Sequence, residues 1–183
     1  ARDALQRLIL PGLERDVRRE LTDRAEAHAV RVFARNSRNL LLQPPVRDRR
    51  VLAIDPGFKS GAKVAVLDEF GQVLDHGVIY LVGKQERRQE ARARLAEWID
   101  RHQLSLVAIG NGTACREAEA LVAEIIAGEL AGRNVAYTIV NEAGASFYST
   151  SPAGREELPE FDPTIRSAIS IGRRLQDPLS ELV

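Results

Sequence analysis

The hydrophobic period of this chain changes once, at Gln43-Pro44-Pro45, and that change limits the fold more than any other feature. Before it, Leu13, Val17, Leu21, Ala25 and Ala29 recur at every fourth residue, with Val32 and Phe33 continuing the stripe. Apolar residues at that spacing line one face of a helix. Leu5, Leu8 and Ile9 form a shorter apolar face, expected to close at Pro11-Gly12 because those residues punctuate helices. Leu40-Leu41-Leu42 then meets two prolines, where a helix cannot continue. The spacing predicts a helical segment over residues 1–43, a charged linker over 44–50 and a different architecture over 51–183. The apolar stripe must bury against something, and the helical segment is expected to be a structural unit sufficient to itself.

From Val51 the pattern is that of short strands. Val51-Leu52-Ala53-Ile54 is an uninterrupted apolar run bounded by turn residues, as in a buried strand. Two more strands are expected at residues 62–67 and 73–80, joined by the hairpin turn Asp68-Glu69-Phe70-Gly71. A helix over 85–102 turns Ala91, Leu95, Trp98 and Ile99 inward. Strand 104–109, helix 114–126 and strand 135–140 follow, then a loop. The final helix, 162–175, has Asp162 as N-cap and Pro163 in its first turn, and Asp177-Pro178 stops it. Tight turns join antiparallel neighbours, and helical crossovers join parallel ones. The simplest solution is an α/β fold, a mixed five-stranded sheet with flanking helices and the first strand central.

Composition narrows the function classes. Hydrophobic residues make up 44% and charged residues 28%, as in ordinary globular domains. The net charge of +0 hides an asymmetry: residues 1–50 hold twelve Arg against seven Asp or Glu. Such a segment can attract phosphate, or can simply be a solvated helix surface. The single cysteine, Cys115, excludes an internal disulfide and fits a reducing compartment. No run approaches the roughly 18 apolar residues of a membrane span, so no membrane partner is expected. No signal peptide is visible at the charged N-terminus. The chain has no methionine and opens at Ala1, and it reads as a piece of a larger protein. His28, His76 and His102 lack metal-ligand spacing, which argues against zinc.

Four stretches could carry chemistry. Asp55-Pro56-Gly57-Phe58-Lys59-Ser60-Gly61 follows a buried strand, where open α/β sheets place ligands. Lys59 and Lys63, two of three lysines with Lys84, could meet a phosphate there; the alternative is a plain hairpin. Gly110-Asn111-Gly112-Thr113 could bind an anion through its amides, but Thr113 as the cap of the next helix is favoured. Glu142, after the last strand, would reach the same sheet edge as Asp55, and two such carboxylates could hold a divalent cation. The last helix carries Thr164, Arg166, Ser167, Ser170, Arg173 and Arg174 on a polar face expected to be solvated. Cys115, at a helix start, is expected to be packing rather than reactive.

These residues resemble a known family. VLAIDPGFKSG looks like the opening strand of the Holliday-junction resolvase and YqgF group within the RNase H-like fold. More closely, LTDRAEAHAVRVFARNSRNLLLQPP, VLAIDPGFKSGAKVAVLDEFGQVLD, AIGNGTACREAE, NEAGASFYSTS and IRSAISIGRRLQDPL resemble the central part of the Tex family of transcription accessory proteins. The resemblance implies an RNase H-like mixed five-stranded sheet preceded by a helical segment, within a cytoplasmic protein whose other domains join in binding nucleic acid, chiefly RNA. A small-molecule substrate is not expected. Resolvase-type nucleases of this fold hold two Mg²⁺ with an acid after the first strand, one after the fourth and two on the last helix. By resemblance, Asp55 supplies the first and Glu142 matches an acid after the last strand. Gly110-Asn111, Thr164 and Ser167 stand where acids belong. Asp162 caps the helix, and Glu117 and Glu119 lie past the expected place. The expectation is a non-catalytic nucleic-acid-binding or scaffolding domain without a cofactor, Asp55 and Glu142 being a vestigial acidic pair able at most to hold Mg²⁺ weakly. Lys59, Ser60, Lys63, Asn111, Arg166 and Arg173 are the expected nucleic-acid contacts. The alternatives are a metal-dependent endonuclease with a rearranged acidic site and a nucleotide-binding phosphotransferase, which would need a second related domain.

Overall fold

A computed structural model of the chain describes residues 2–83 and 85–182, without the side chain of Leu182. Lys84 therefore lies outside the described residues. The chain divides into two compact units, residues 1–43 and 44–183.

The first unit is one continuous helical rod: α1 (Arg2–Ala4), a π-helical turn (Leu5–Ile9) and α2 (Leu10–Leu41). The break expected at Pro11-Gly12 does not occur. Pro11 follows a π-helical turn, Leu10 N–H reaching Leu5 O, and the helix runs on through it. The helix ends at Leu41, ahead of Pro44, as the prolines require. No residue of α2 is buried, and Phe33 is 72% exposed. The expectation of a self-sufficient unit is thus corrected: a single rod has no second element of its own to bury an apolar stripe against. Its charged faces carry exposed i,i+4 pairs such as Arg18–Glu14 and Arg24–Glu20, each contributing a few tenths of a kcal/mol.

The second unit holds β1 (Val51–Asp55), β2 (Ala62–Leu67), β3 (Val73–Ile79), α3 (Gln85–Arg101), β4 (Leu106–Gly110), α4 (Cys115–Ala127) and β5 (Ala136–Val140). It continues with α5 (Ala145–Thr150), α6 (Pro152–Glu157), α7 (Pro163–Gln176) and α8 (Pro178–Leu182). The sheet order is β3-β2-β1-β4-β5, so β1 is central. β1 pairs antiparallel with β2 and parallel with β4; β2–β3 is antiparallel and β4–β5 parallel. The β2–β3 turn is made by Asp68, whose Oδ1 accepts from the N–H groups of Phe70 at 2.9 Å and Gln72 at 2.7 Å.

Alternation along β1 explains why helices cover both faces. Leu52 and Ile54 join a core with Leu95, Trp98, Leu121 and Ile125 of α3 and α4. Val51 and Ala53 face the other way, into a cluster with Ile171 of α7, while Ala65 and Leu67 of β2 meet Ala168 and Ile169 of the same helix. Complete burial of such a side chain stabilises by about 1.5–3 kcal/mol. Gly172 brings α7 close to the strands, since a Cβ there would fall 2.9 Å from Ala53 Cβ. Asp55, next in the alternation after Val51 and Ala53, belongs to the α7 face.

Three expectations change here. The stretch before α7, expected as a loop, forms α5 and α6; Ser151 caps α6 by accepting Gly154 N–H at 3.1 Å, with Pro152 in its first turn. Most of the polar face of α7 is not solvated: Arg166, Ser167, Ser170, Arg174 and Gln176 are buried, because α5 packs along α7 and backbone carbonyls meet the cations, while Thr164 in the first turn stays exposed. Residues 46–49 are bound to α7, through Val46 N–H to Leu175 O at 3.1 Å and the Gln176 amide to Arg49 O at 2.8 Å.

Candidate nucleic-acid interface

β1 delivers Asp55 to the carboxyl edge of the sheet, half-covered by α7. Burial pushes its carboxyl above the ordinary range, while a hydrogen bond from Ser167 and the Lys63 charge pull it back. Lys63 is the cross-strand partner of Asp55 on β2. It is only 7% exposed, and its ammonium donates to Ser60 O at 2.6 Å and Gly61 O at 3.0 Å. Lys63 therefore closes the 56–61 loop from inside rather than meeting a ligand. Gly61 completes that turn with φ +77, where a Cβ would come within 2.7 Å of Val78 Cγ1. Phe58, Lys59 and Ser60 are left exposed at the loop tip.

Glu142 reaches the same edge from the far side of β4. Its N–H donates to Asn111 Oδ1 at 3.0 Å, and its carboxylate accepts from Gly112 N–H. Burial is the larger cause raising its carboxyl pKa, and the charge of Asp55 adds to it. The side chain fits because of two glycines. A Cβ on Gly110 would lie 2.6 Å from Glu142 Oε2, and one on Gly112 would fall inside the carboxylate. The anion held by the amide-rich Gly110–Thr113 turn is thus the chain's own Glu142. Thr113 does not cap α4, which is a correction: Ala114 adopts φ +69 at the N-cap position and no side chain caps it. Cys115 is partly buried, and burial together with Glu119, Glu142 and Glu117 pushes its thiol up, away from reactivity.

Arg174 is the residue that sequence reasoning underrated. It is 3% exposed and donates to the carbonyls of Asn141 and, at 2.9 Å, Ala143, holding the Glu142 loop from beneath. Its only signal in sequence was membership of a cationic face. The expected phosphate contacts Arg166 and Arg173 are otherwise engaged. Arg166 is buried and donates to Leu158 O at 2.9 Å and Ser149 O at 3.2 Å. Arg173 donates to Gly71 O at 2.9 Å and pairs with Glu157. Arg166 is drawn inward by carbonyls of the short helical segment before α7, and Arg173 by the β2–β3 turn and the Glu157 carboxylate. Lys59, Ser60 and Asn111 remain exposed at the edge.

The residues do not fit a pair of divalent cations. Among the described residues, no group of three or more His, Cys, Asp or Glu is placed to hold a metal ion. Ser167 occupies the neighbourhood of Asp55 from α7. Asp162 is committed to capping, accepting Thr164 N–H at 2.8 Å and Ile165 N–H at 3.2 Å. Glu119 accepts the Tyr137 hydroxyl at 3.2 Å.

Residues 49–176 match the family described as Tex protein YqgF-like domain. The chain belongs to that family. Over 181 residues the chain is 46% identical to the uncharacterized protein YdcI of Bacillus subtilis, a match covering 99% of this chain and 25% of that protein. It is 44% identical to Protein tex of Bordetella pertussis, over 96% of this chain and 22% of that protein. It is 46% identical to human S1 RNA-binding domain-containing protein 1, over 99% of this chain and 18% of that protein. The chain thus spans a quarter or less of the length of these relatives. Among solved structures it resembles T. thermophilus RuvC in complex with a Holliday junction substrate, with TM-score 0.52 and 17% identity. That match covers 68% of this chain and 91% of RuvC, and it shows a RuvC-like, RNase H-like fold. Among the described residues no helix is long and apolar enough to cross a membrane.

Proposed function

We propose that residues 51–183 form a nucleic-acid-binding or scaffolding domain of a cytoplasmic, Tex-like transcription accessory protein, that its nucleic acid is chiefly RNA, and that it lacks nuclease activity. Residues 1–43 are its helical segment, and other domains of the full-length protein share the binding. The observation that carries the reading is the acidic pair itself. Asp55 and Glu142 face one another without a third carboxylate among the described residues, and Ser167 stands where a resolvase-type site needs an acid. Two-metal hydrolysis needs several carboxylates to neutralise two ions about 4 Å apart, and a hydroxyl does not replace one. The edge keeps cation and amide groups, Lys59 and Asn111, that bind a strand without cutting it.

Branched DNA and single-stranded RNA incubated with the chain and Mg²⁺ or Mn²⁺ are expected to stay intact, and Asp55→Asn is expected to lose none of the binding. Cleavage abolished by Asp55→Asn would promote the nuclease reading instead. Binding should weaken steeply with salt, in proportion to the phosphates contacted.

A further inference from the structure

The carboxyl edge of the sheet carries more than its carboxylates. β1, β4 and β5 run parallel, and β3, antiparallel to β2, runs with them. Their carboxyl ends therefore share one edge, from which the segments after Asp55, Ile79, Gly110 and Val140 emerge. Four inter-strand spacings separate β3 from β5, a span of about 19 Å. Three large aromatic side chains lie exposed in those segments: Tyr80 after β3 (41%), Phe58 after β1 (43%) and Phe147 in α5 (80%). Tyr80 and the Phe58 loop are adjacent, since a Cβ on Gly61 would be 3.2 Å from Tyr80 Cε1.

Cations alternate with these rings. Lys59 follows Phe58, Arg116 sits in the first turn of α4, and the Arg87 guanidinium lies 5.1 Å from the centre of the Tyr80 ring. Among the described residues none of the three forms an ion pair, whereas Arg88, Arg92 and Arg101 on α3 each hold an acid. Exposed rings interleaved with unpaired cations along a strip match what an unpaired nucleic-acid strand requires, faces for its bases and charge for its phosphates.

The acidic pair sets the orientation. Asp55 and Glu142 lie between the rings and repel phosphate, while neutral bases are tolerated there. A strand crossing this edge must turn its bases inward and its phosphates out toward Lys59, Arg87 and Arg116. A duplex cannot do so, because its bases are already paired inside.

Resting on the reading of this edge as a nucleic-acid interface, we infer that Tyr80, Phe58 and Phe147 form a stacking platform for the bases of an unpaired RNA strand. The test uses fluorescence anisotropy of the 183-residue chain with labelled oligouridine of about 12 nucleotides. An RNA duplex and an abasic strand of the same length serve as controls. The single strand should bind more tightly than either control. Phe58→Ala, Tyr80→Ala and Phe147→Ala should each weaken it about five-fold or more, with little change for the abasic strand. Phe58→Trp and Phe147→Trp should retain affinity and lose indole fluorescence on binding, while the native Trp98 stays silent because it is buried. If all three alanine variants bind oligouridine like the parent, and the abasic strand binds equally well, stacking is refuted while the electrostatic interface stands. Absence of binding by every strand overturns both.

Discussion

Helices α2 and α7 both carry apolar residues at helical spacing, yet they end in opposite states. The 32 residues of α2 bury none of their side chains, whereas the 14 residues of α7 include ten that are buried. Spacing is a local property, and burial is supplied by whatever packs on the element. α7 has the sheet on one side and α5 along another, so even its arginines are enclosed, with carbonyls as partners. In water the stripe of α2 contributes little beyond helix propensity and exposed ion pairs.

The strongest way to break this contrast is to truncate one apolar residue in each helix. Ile169→Ala, at a fully buried position, is expected to destabilise the sheet unit by about 2–5 kcal/mol in urea denaturation. Val17→Ala, at an exposed position of α2, should change it by less than about 0.5 kcal/mol. Similar losses from both would mean that α2 contributes to the core.

A polar truncation sharpens the comparison. Arg166→Ala leaves the carbonyls of Leu158 and Ser149 without their donor and should cost about 1–3 kcal/mol. It should leave RNA affinity measured on the folded fraction unchanged. A change in the salt dependence of binding with stability intact would show that Arg166 faces solvent and phosphate after all.

The smallest expected effect concerns protonation where α7 meets Asp55. Asp55 has a raised folded-state pKa, chiefly through burial, so the folded state binds this proton more tightly than the unfolded chain. The stability gained is complete below the ordinary carboxylate range and is lost as pH rises through the raised value. Asp55→Asn cannot ionise, so its advantage over the parent should grow as pH rises above the ordinary carboxylate range, about pH 4. The gain should stay within a few degrees of melting temperature, as about 1 kcal/mol moves a chain of this size by about 2–4 °C. A gap that narrows with rising pH would show that Lys63 and Ser167 outweigh desolvation.

By itself, the sequence determined the elements that local chemistry dictates. The apolar run Val51–Ile54, the Asp68 turn, the Asp162 cap and the order of turns and crossovers were enough for a mixed sheet with β1 central and Asp55 at its carboxyl end. The helices α5 and α6 were less legible, because each is six residues long and has too few turns to show a period. Only the tertiary structure decided which polar groups are spent inside the protein. Lys63, Arg166 and Arg173 look like phosphate ligands in sequence, but backbone carbonyls claim them, those of its own loop for Lys63, those of Leu158 and Ser149 for Arg166 and that of Gly71 for Arg173. Gly110 and Gly112 look like a flexible turn, but they are the space that Glu142 fills, thirty residues or more along the chain. Periodicity and capping are written within a few neighbouring residues. Partner choice for a buried charge depends on which backbone groups the fold leaves unsatisfied, and that is settled only when the elements pack.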